Sequence, residues 1–303
     1  MKGFLEILKV ILLGIVEGVT EWLPISSTGH MILLNEVIHL DVRQEFMDVF
    51  LVVIQLGAIL AVVVLYWNRL WPFYNRPLTG KQRKELRSLG GVRGTITGLC
   101  LRFCDKDKWI LWSKILVACL PTILVALPFD DVIEEKLNNY VVVAICLIIY
   151  GIAFLAIEFF GKELRPSIRR VGKIDYWIAL IIGCFQVLSL IPGTSRSGAT
   201  ILGGILAGCT RSVAAEFTFF MAVPVMLGAS LLKIVKFSLT PELFEVVLLL
   251  IGMVVAFFVS IFSIGFFMNY IRKHDFKAFG IYRIVLGIVV LGFFLIRKFY
   301  FGV

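Results

Sequence analysis

Apolar runs of around twenty residues, separated by short clumps of charge, dictate what this chain can fold into. A helix of that length crosses a hydrocarbon core about 30 Å thick. Six stretches read as complete spans: about 46–68, 110–129, 139–160, 213–236, 243–269 and 279–298. Backbone amides in lipid find no water, so each such stretch must satisfy its own hydrogen bonds as a helix. With 59% hydrophobic and only 17% charged residues, the 303-residue chain is not an ordinary soluble domain, which would be roughly half apolar. The expected fold class is an all-α polytopic membrane protein, a single integral membrane domain over 1–303.

The formal net charge of +9 does not point to nucleic acid, because the basic residues sit in loops between spans. One basic stretch, about 69–109, carries Arg69, Arg76, Lys81, Arg83, Lys84, Arg87, Arg93, Arg102, Lys106 and Lys108. A second holds Lys162, Arg165, Arg169, Arg170 and Lys173, and a third holds Arg272, Lys273 and Lys277. The positive-inside bias puts these three in the cytoplasm. Asp130, Asp131, Glu134 and Glu135, and the sparsely charged Thr240–Glu242, then belong outside. The first apolar run carries Glu6, Lys9, Glu17 and Glu21 and does not read as a cleavable signal peptide. The six cysteines form no disulfide framework. Cys119, Cys146, Cys184 and Cys209 lie in apolar stretches as small hydrophobes, and Cys100 and Cys104 lack neighbouring zinc ligands.

These orientations force residues 1–45 to start and finish outside, and residues 176–211 to start and finish inside. Pro, Gly and Ser interrupt both stretches, so both read as re-entrant or broken-helix hairpins entering from opposite faces. The halves also match weakly. Gly14-x-x-Glu17 parallels Gly183-x-x-Gln186, Pro24-x-x-Ser27 parallels Pro192-x-x-Ser195, and Leu56-Gly57-Ala58 parallels Leu227-Gly228-Ala229. The expectation is an inverted-topology repeat, 1–160 and 176–303, with six full spans, two hairpins and a ligand site near the midplane.

The first interruption runs from Glu17 to His30. Glu17 and Glu21 are four apart and share a helix face. Carboxylates at membrane depth cost several kcal/mol unless paired, hydrated or protonated, so they are candidates for metal binding, general base chemistry or a shared proton. Pro24 should stop the helix. Ser26, Ser27, Thr28 and Gly29 then offer caps and free amides to phosphate oxygens. Ser27 and His30 stand three apart, a spacing at which a nucleophile and a proton carrier meet across one turn.

The second interruption is Pro192-Gly-Thr-Ser195-Arg196-Ser197-Gly198-Ala-Thr200. Its small residues let backbone approach a ligand, and successive amides form an anion nest. Arg196 lies far from any basic loop and needs an anionic partner. A phosphate fits its planar fork, and Glu17 or Glu21 is the internal alternative. No Walker motif is present.

Both motifs, in this order and separation, together with Gln55-Leu-Gly-Ala, Arg211 with Ala214-Ala215-Glu216, and Tyr282-Arg283, resemble the bacterial undecaprenyl-diphosphate phosphatase family, also called bacitracin-resistance proteins. The resemblance implies hydrolysis of undecaprenyl diphosphate to the monophosphate and inorganic phosphate, which recycles the lipid carrier for cell-wall synthesis at the bacterial cytoplasmic (inner) membrane and lowers the lipid that bacitracin sequesters. It implicates Glu17, Glu21, Ser27 and His30 in the first segment and Ser195, Arg196, Ser197 and Thr200 in the second. The candidate catalytic residues are Glu17, Glu21, Ser27, His30 and Arg196, and the candidate phosphate-binding residues are Ser26, Thr28, Ser195, Arg196, Ser197, Gly198 and Thr200. Beside the family, the basic stretch at about 69–109 is long and reads as a cytoplasmic insertion without catalytic content. The resemblance also suggests a divalent cation, Mg or Ca, on Glu17 and Glu21. The nucleophile stays open between Ser27, His30 and water, with Ser27 favoured. The expected partners are the polyprenyl diphosphate and membrane lipids, and a homo-oligomer is left open. A phosphatidate-phosphatase relationship fails, because the only histidine after Arg196 is His274, far downstream. The alternative function, from another class, is a transporter or flippase of phosphorylated polyprenyl lipid through the same pocket.

Overall fold

The computed structural model describes residues 2–73, 79–89, 91–160, 166–236 and 242–301. Arg76, Lys162, Arg165 and Thr240 lie outside the described residues. The chain is helical along almost all of this length, beginning with α1 (Lys2–Thr20), α2 (Ser27–Val37) and α3 (Gln44–Leu65). The basic stretch follows as α4 (Trp67–Leu70), α5 (Gly80–Leu89) and α6 (Gly91–Phe103). Then come α7 (Lys106–Leu137), α8 (Tyr140–Phe160), α9 (Tyr176–Val187), α10 (Arg196–Leu206), α11 (Arg211–Lys236), α12 (Leu243–Lys273) and α13 (Lys277–Phe301).

Among the described residues six helices are long and apolar enough to cross a membrane, and they coincide with the six expected spans. Their bounds differ in one instructive place. The acidic stretch 130–135, expected as a loop, continues α7 to Leu137. Pro121 and Pro128 lie within that helix without ending it. Neighbouring helices and local backbone adjustment tolerate prolines in such spans. Where it is described, the basic 69–109 stretch is likewise largely helical rather than open loop. Its base is pinned where Trp112 donates to the Leu70 carbonyl at 2.7 Å and the Asp105 amide donates to the Pro72 carbonyl at 2.8 Å.

Small residues set the helix contacts, as expected where lipid removes the hydrophobic drive for association. A side chain at Gly14 of α1 would meet the Gly252 carbonyl of α12 at 2.9 Å, and one at Gly18 would meet the Ala256 carbonyl at 2.9 Å. At Gly183 of α9 it would run into the Ala118 backbone of α7. Helices α8 and α13 approach through Gly151, Gly280 and Gly287. The largest buried cluster gathers around the two hairpin turns and contains Trp22, Ile115, Ile201, Phe217, Phe219 and Phe267.

Candidate functional site: two broken helices meeting at one carboxylate

Each hairpin is a helix, a turn and a second helix. Helix α1 ends at Thr20, one turn before Pro24, so the proline does not itself close the last hydrogen bond. Proline disfavours helical geometry in the residue before it, which places the break upstream. The Glu21 amide still donates to the Glu17 carbonyl at 3.0 Å, so the two carboxylates remain one turn apart. The second hairpin turns through Pro192–Thr194, with Gly193 at φ 89°, where a side chain would strike the Val143 backbone.

Both second helices open on the same strained cap. Ser26 has φ 72° and Ser195 has φ 69°, and they are the two non-glycine residues with positive φ among those described. Each side chain accepts from the amide three residues on, Gly29 or Gly198, at 3.3 Å. Such a conformation costs about 1–3 kcal/mol and persists where function holds it. The cap match pairs Ser26 with Ser195, one residue off the Ser27–Ser195 pairing expected from the prolines. The first helical residues are therefore Ser27 and Arg196.

Those two residues converge. Arg196 donates from Nη2 to Glu21 Oε1 at 3.0 Å, and Ser27 Oγ donates to Glu21 Oε2 at 2.9 Å. The internal ion pair anticipated for Arg196 is thus formed with Glu21. Arg196 also donates to the Thr218 carbonyl at 3.2 Å, and its guanidinium lies 5.8 Å from the Trp22 ring centre. Ser197 Oγ reaches the Glu21 and Leu23 carbonyls at 3.3 and 3.2 Å and lies 3.1 Å from Ser195 Oγ. Thr200 donates back to the Arg196 carbonyl at 2.8 Å and accepts from Thr218 at 2.8 Å, so it braces the first turn of α10. Thr28 stands exposed on the first turn of α2.

Glu17 is 1% exposed and Glu21 8%. Glu17 Oε1 and Arg196 Nε are buried without a partner. One acceptor in the first hairpin and one donor in the second are therefore unsatisfied, and each costs about 1–3 kcal/mol when unmet. Among the described residues no three His, Cys, Asp or Glu side chains form a metal cluster. Glu21 is committed to Arg196 and Ser27. A divalent cation here fits the pattern in which one or two carboxylates and substrate phosphates share the ion, with Glu17 supplying the free oxygen.

The expected meeting of Ser27 with His30 is replaced by other contacts. His30 Nδ1 lies 2.7 Å from the Ser26 carbonyl, and Nε2 lies 2.6 Å from the Tyr282 hydroxyl. A carbonyl only accepts, so Nδ1 carries the proton and Nε2 offers its lone pair to Tyr282. Arg283 is 0% exposed and donates to Pro24, Gly193 and Thr194 carbonyls at 3.2, 3.0 and 2.8 Å. Tyr282 and Arg283 received no role from sequence reasoning. The available signal was an arginine inside an otherwise apolar span, a functional pointer by default.

Most of the chain, and not only these motifs, matches a known family. The family model for bacitracin resistance protein BacA matches residues 10–289. The chain belongs to this family. Its relatives include an undecaprenyl-diphosphatase of Acetivibrio thermocellus, 53% identical over 291 residues, covering 96% of this chain and 98% of the relative. An undecaprenyl-diphosphatase of Enterococcus faecalis is 52% identical over 95% of this chain and 97% of its own length. Undecaprenyl-diphosphatase 1 of Clostridium acetobutylicum is 53% identical over 96% and 98%.

Proposed function

We infer that this chain is a membrane-embedded hydrolase that converts undecaprenyl diphosphate to undecaprenyl phosphate and inorganic phosphate. The observation that carries the reading is the convergence of Ser27 and Arg196 on Glu21, at the mouths of two helix N-termini, in a family whose relatives are named for this reaction. The reaction recycles the lipid carrier for envelope polymers, lowers the diphosphate available to bacitracin, and belongs to the bacterial cytoplasmic membrane.

The chemistry follows from charge. Arg196 and the amides opening α2 and α10, with Ser195 and Ser197, hold the distal phosphoryl group and stabilise charge on it. Arg196 meets the substrate with its free Nε while Glu21 keeps its fork oriented. Ser27 Oγ attacks the distal phosphorus and passes its proton to Glu21 Oε2, with which it is already bonded. The bridging P–O bond breaks, undecaprenyl phosphate leaves, and water, with His30 assisting proton transfer, then hydrolyses the phosphoserine to release phosphate. A divalent cation, where one is bound, would be held by Glu17 and would supply positive charge against the phosphates. The polyprenyl tail needs only carbon contacts. An apolar groove of about 560 Å³ lined by Ile149, Tyr150, Ala153, Phe185, Leu202 and Leu206 offers them. Helix α10 contributes both a wall of that groove and the Arg196 end of the pocket. The paired caps and the parallel packing of Gly14 and Gly183 support reading 1–160 and 176–303 as inverted repeats.

The test is phosphate release from undecaprenyl diphosphate by the purified chain in detergent, where no membrane sidedness exists. Release supports the hydrolase. No release, with lipid movement in sealed vesicles, supports the transporter instead.

A further inference from the structure

Helix α13 places two adjacent polar side chains against the site, and neither hydrogen-bonds to Ser27, Glu21 or Arg196. Arg283 is fully buried in a span, where a guanidinium costs several kcal/mol without compensation. Its hydrogen bonds go to carbonyls: Nη1 to Pro24 in the first turn, and Nη2 to Gly193 and Thr194 in the second. These are backbone groups that a broken helix leaves without helical partners. One planar fork therefore spans both breaks. The guanidinium also lies 5.4 Å from the Tyr150 ring centre, and a side chain at Gly198 would sit 2.9 Å from Nη1. The absent Cβ of Gly198 leaves the space in which Arg283 reaches the first turn.

Tyr282, one residue earlier, acts on His30. The two rings stack, with centroids 5.6 Å apart and planes 9° from parallel, and the Tyr282 hydroxyl is 2.6 Å from Nε2. With Nδ1 held by the Ser26 carbonyl, both ring nitrogens are fixed, and so are the tautomer and the ring plane.

We propose that Tyr282 and Arg283 are positioning residues of the phosphatase reaction: Arg283 sets the spacing between the two turns, and with it the spacing of Ser27 and Glu21 from Ser195, Arg196 and Ser197, while Tyr282 fixes the tautomer and orientation of His30. This rests on the hydrolase reading for its kinetics, but not for the contacts themselves. Arg283 acts through geometry, because a shift of about 1 Å in reacting groups costs on the order of a hundredfold in rate. A lysine in its place keeps the charge and loses the fork, so it serves fewer carbonyls at once.

The experiment uses the purified full-length chain in detergent with undecaprenyl diphosphate. Tyr282→Phe keeps the ring and removes the hydroxyl, and kcat should fall about tenfold with KM nearly unchanged, the worth of one hydrogen bond. Arg283→Lys should lower kcat by about a hundredfold, with a smaller change in KM, and Arg283→Gln should fall further, so that the conservative variant is the better enzyme. The 15N spectrum of His30, with His39 and His274 replaced by Gln, should show a protonated Nδ1 and an unprotonated Nε2. The Nε2 resonance should move in Tyr282→Phe while Nδ1 keeps its proton.

Wild-type kcat in Tyr282→Phe, or an unmoved Nε2 resonance, overturns the role of Tyr282. Wild-type kcat in folded Arg283→Gln overturns that of Arg283. If the Arg283 variants do not fold, the separation between the turns is read in the wild-type chain and in Tyr282→Phe from spin labels on the two turns. An equal, broad distribution in both overturns the clamp, and a single narrow one supports it. Absence of phosphate release by the wild type would sink the hydrolase reading alone, since the spectrum and the distance still judge the contacts.

Discussion

The turns at Glu21–Ser27 and Pro192–Arg196 share a frame and differ in chemistry. Both present a serine cap at positive φ that accepts from the amide three residues on. Both begin a short helix whose first residue points at Glu21. In the first turn that residue is a hydroxyl, on a hairpin that also carries two carboxylates and a histidine. In the second it is a guanidinium among small residues. Glu17, in the first hairpin, is matched by Gln186 in the second, which is fully buried and donates to Thr122 at 3.0 Å. On the proposed reading the frame is used twice, with the proton-handling groups on one copy and the anion-holding groups on the other. Neither turn is a site alone, because Ser27 without Arg196 has no counter-charge for a phosphoryl group, and Arg196 without Glu21 is an unpaired buried cation.

Substitutions at the non-equivalent positions should break this division hardest. Arg196→Ala should lower turnover by a thousandfold or more, roughly the worth of an arginine on a transferring phosphoryl group. Membrane insertion, followed by expression and fractionation, should persist. Stability should fall by about 3–5 kcal/mol, because Glu21 loses its buried partner. Arg196→Lys should recover stability more than turnover.

Glu21→Gln should lower kcat by about a hundredfold or more through loss of the proton acceptor, with lipid binding changed less. Glu17→Gln should act in the same direction, and its effect should track added divalent cation if Glu17 holds the ion. Steady-state kinetics with and without chelator separates the two carboxylates.

Ala153→Trp fills the apolar groove and leaves both turns intact. It should raise KM for the long-chain lipid by about tenfold, the worth of one or two lost hydrophobic contacts, and leave a short-chain diphosphate nearly unaffected. Equal effects on both chain lengths would place the tail elsewhere.

The smallest effects should come from the equivalent positions. Ser26→Gly and Ser195→Gly each lose a cap and relieve positive φ, so stability should change by only a few tenths of a kcal/mol, and similarly at both sites. Ser→Ala at either should cost about 1 kcal/mol. Unequal costs at the two caps would argue that the frames are not alike. Thermal unfolding in detergent reads both pairs.

Much of this was legible in the sequence, for stated reasons. The spans declare themselves by length and hydropathy, since a helix in lipid has no other way to satisfy its backbone. The hairpins are visible because Pro24, Pro192 and Gly193 interrupt apolar sequence. Other features depend on three dimensions. Helix α7 runs on through its acidic end, since acidic residues at a helix terminus look the same in sequence as a loop. The cap register slipped by one, because Pro24 lies two residues before its serine and Pro192 three. Arg283 was invisible as a partner because its acceptors are backbone carbonyls 259, 90 and 89 residues away, which carry no residue identity. His30 was assigned to Ser27 on spacing, but its ring faces Tyr282, 252 residues distant.

The central claim is that Ser27 and Arg196, on different halves of the chain, act in one site through Glu21. A double-mutant cycle in phosphate release tests it directly, with wild type, Ser27→Ala, Arg196→Ala and the double variant measured in detergent. Residues that act as a unit are grossly non-additive. The account predicts that the double variant is no slower than the worse single one. A double variant whose loss equals the product of the two single losses would contradict it, since the two turns would then contribute independently.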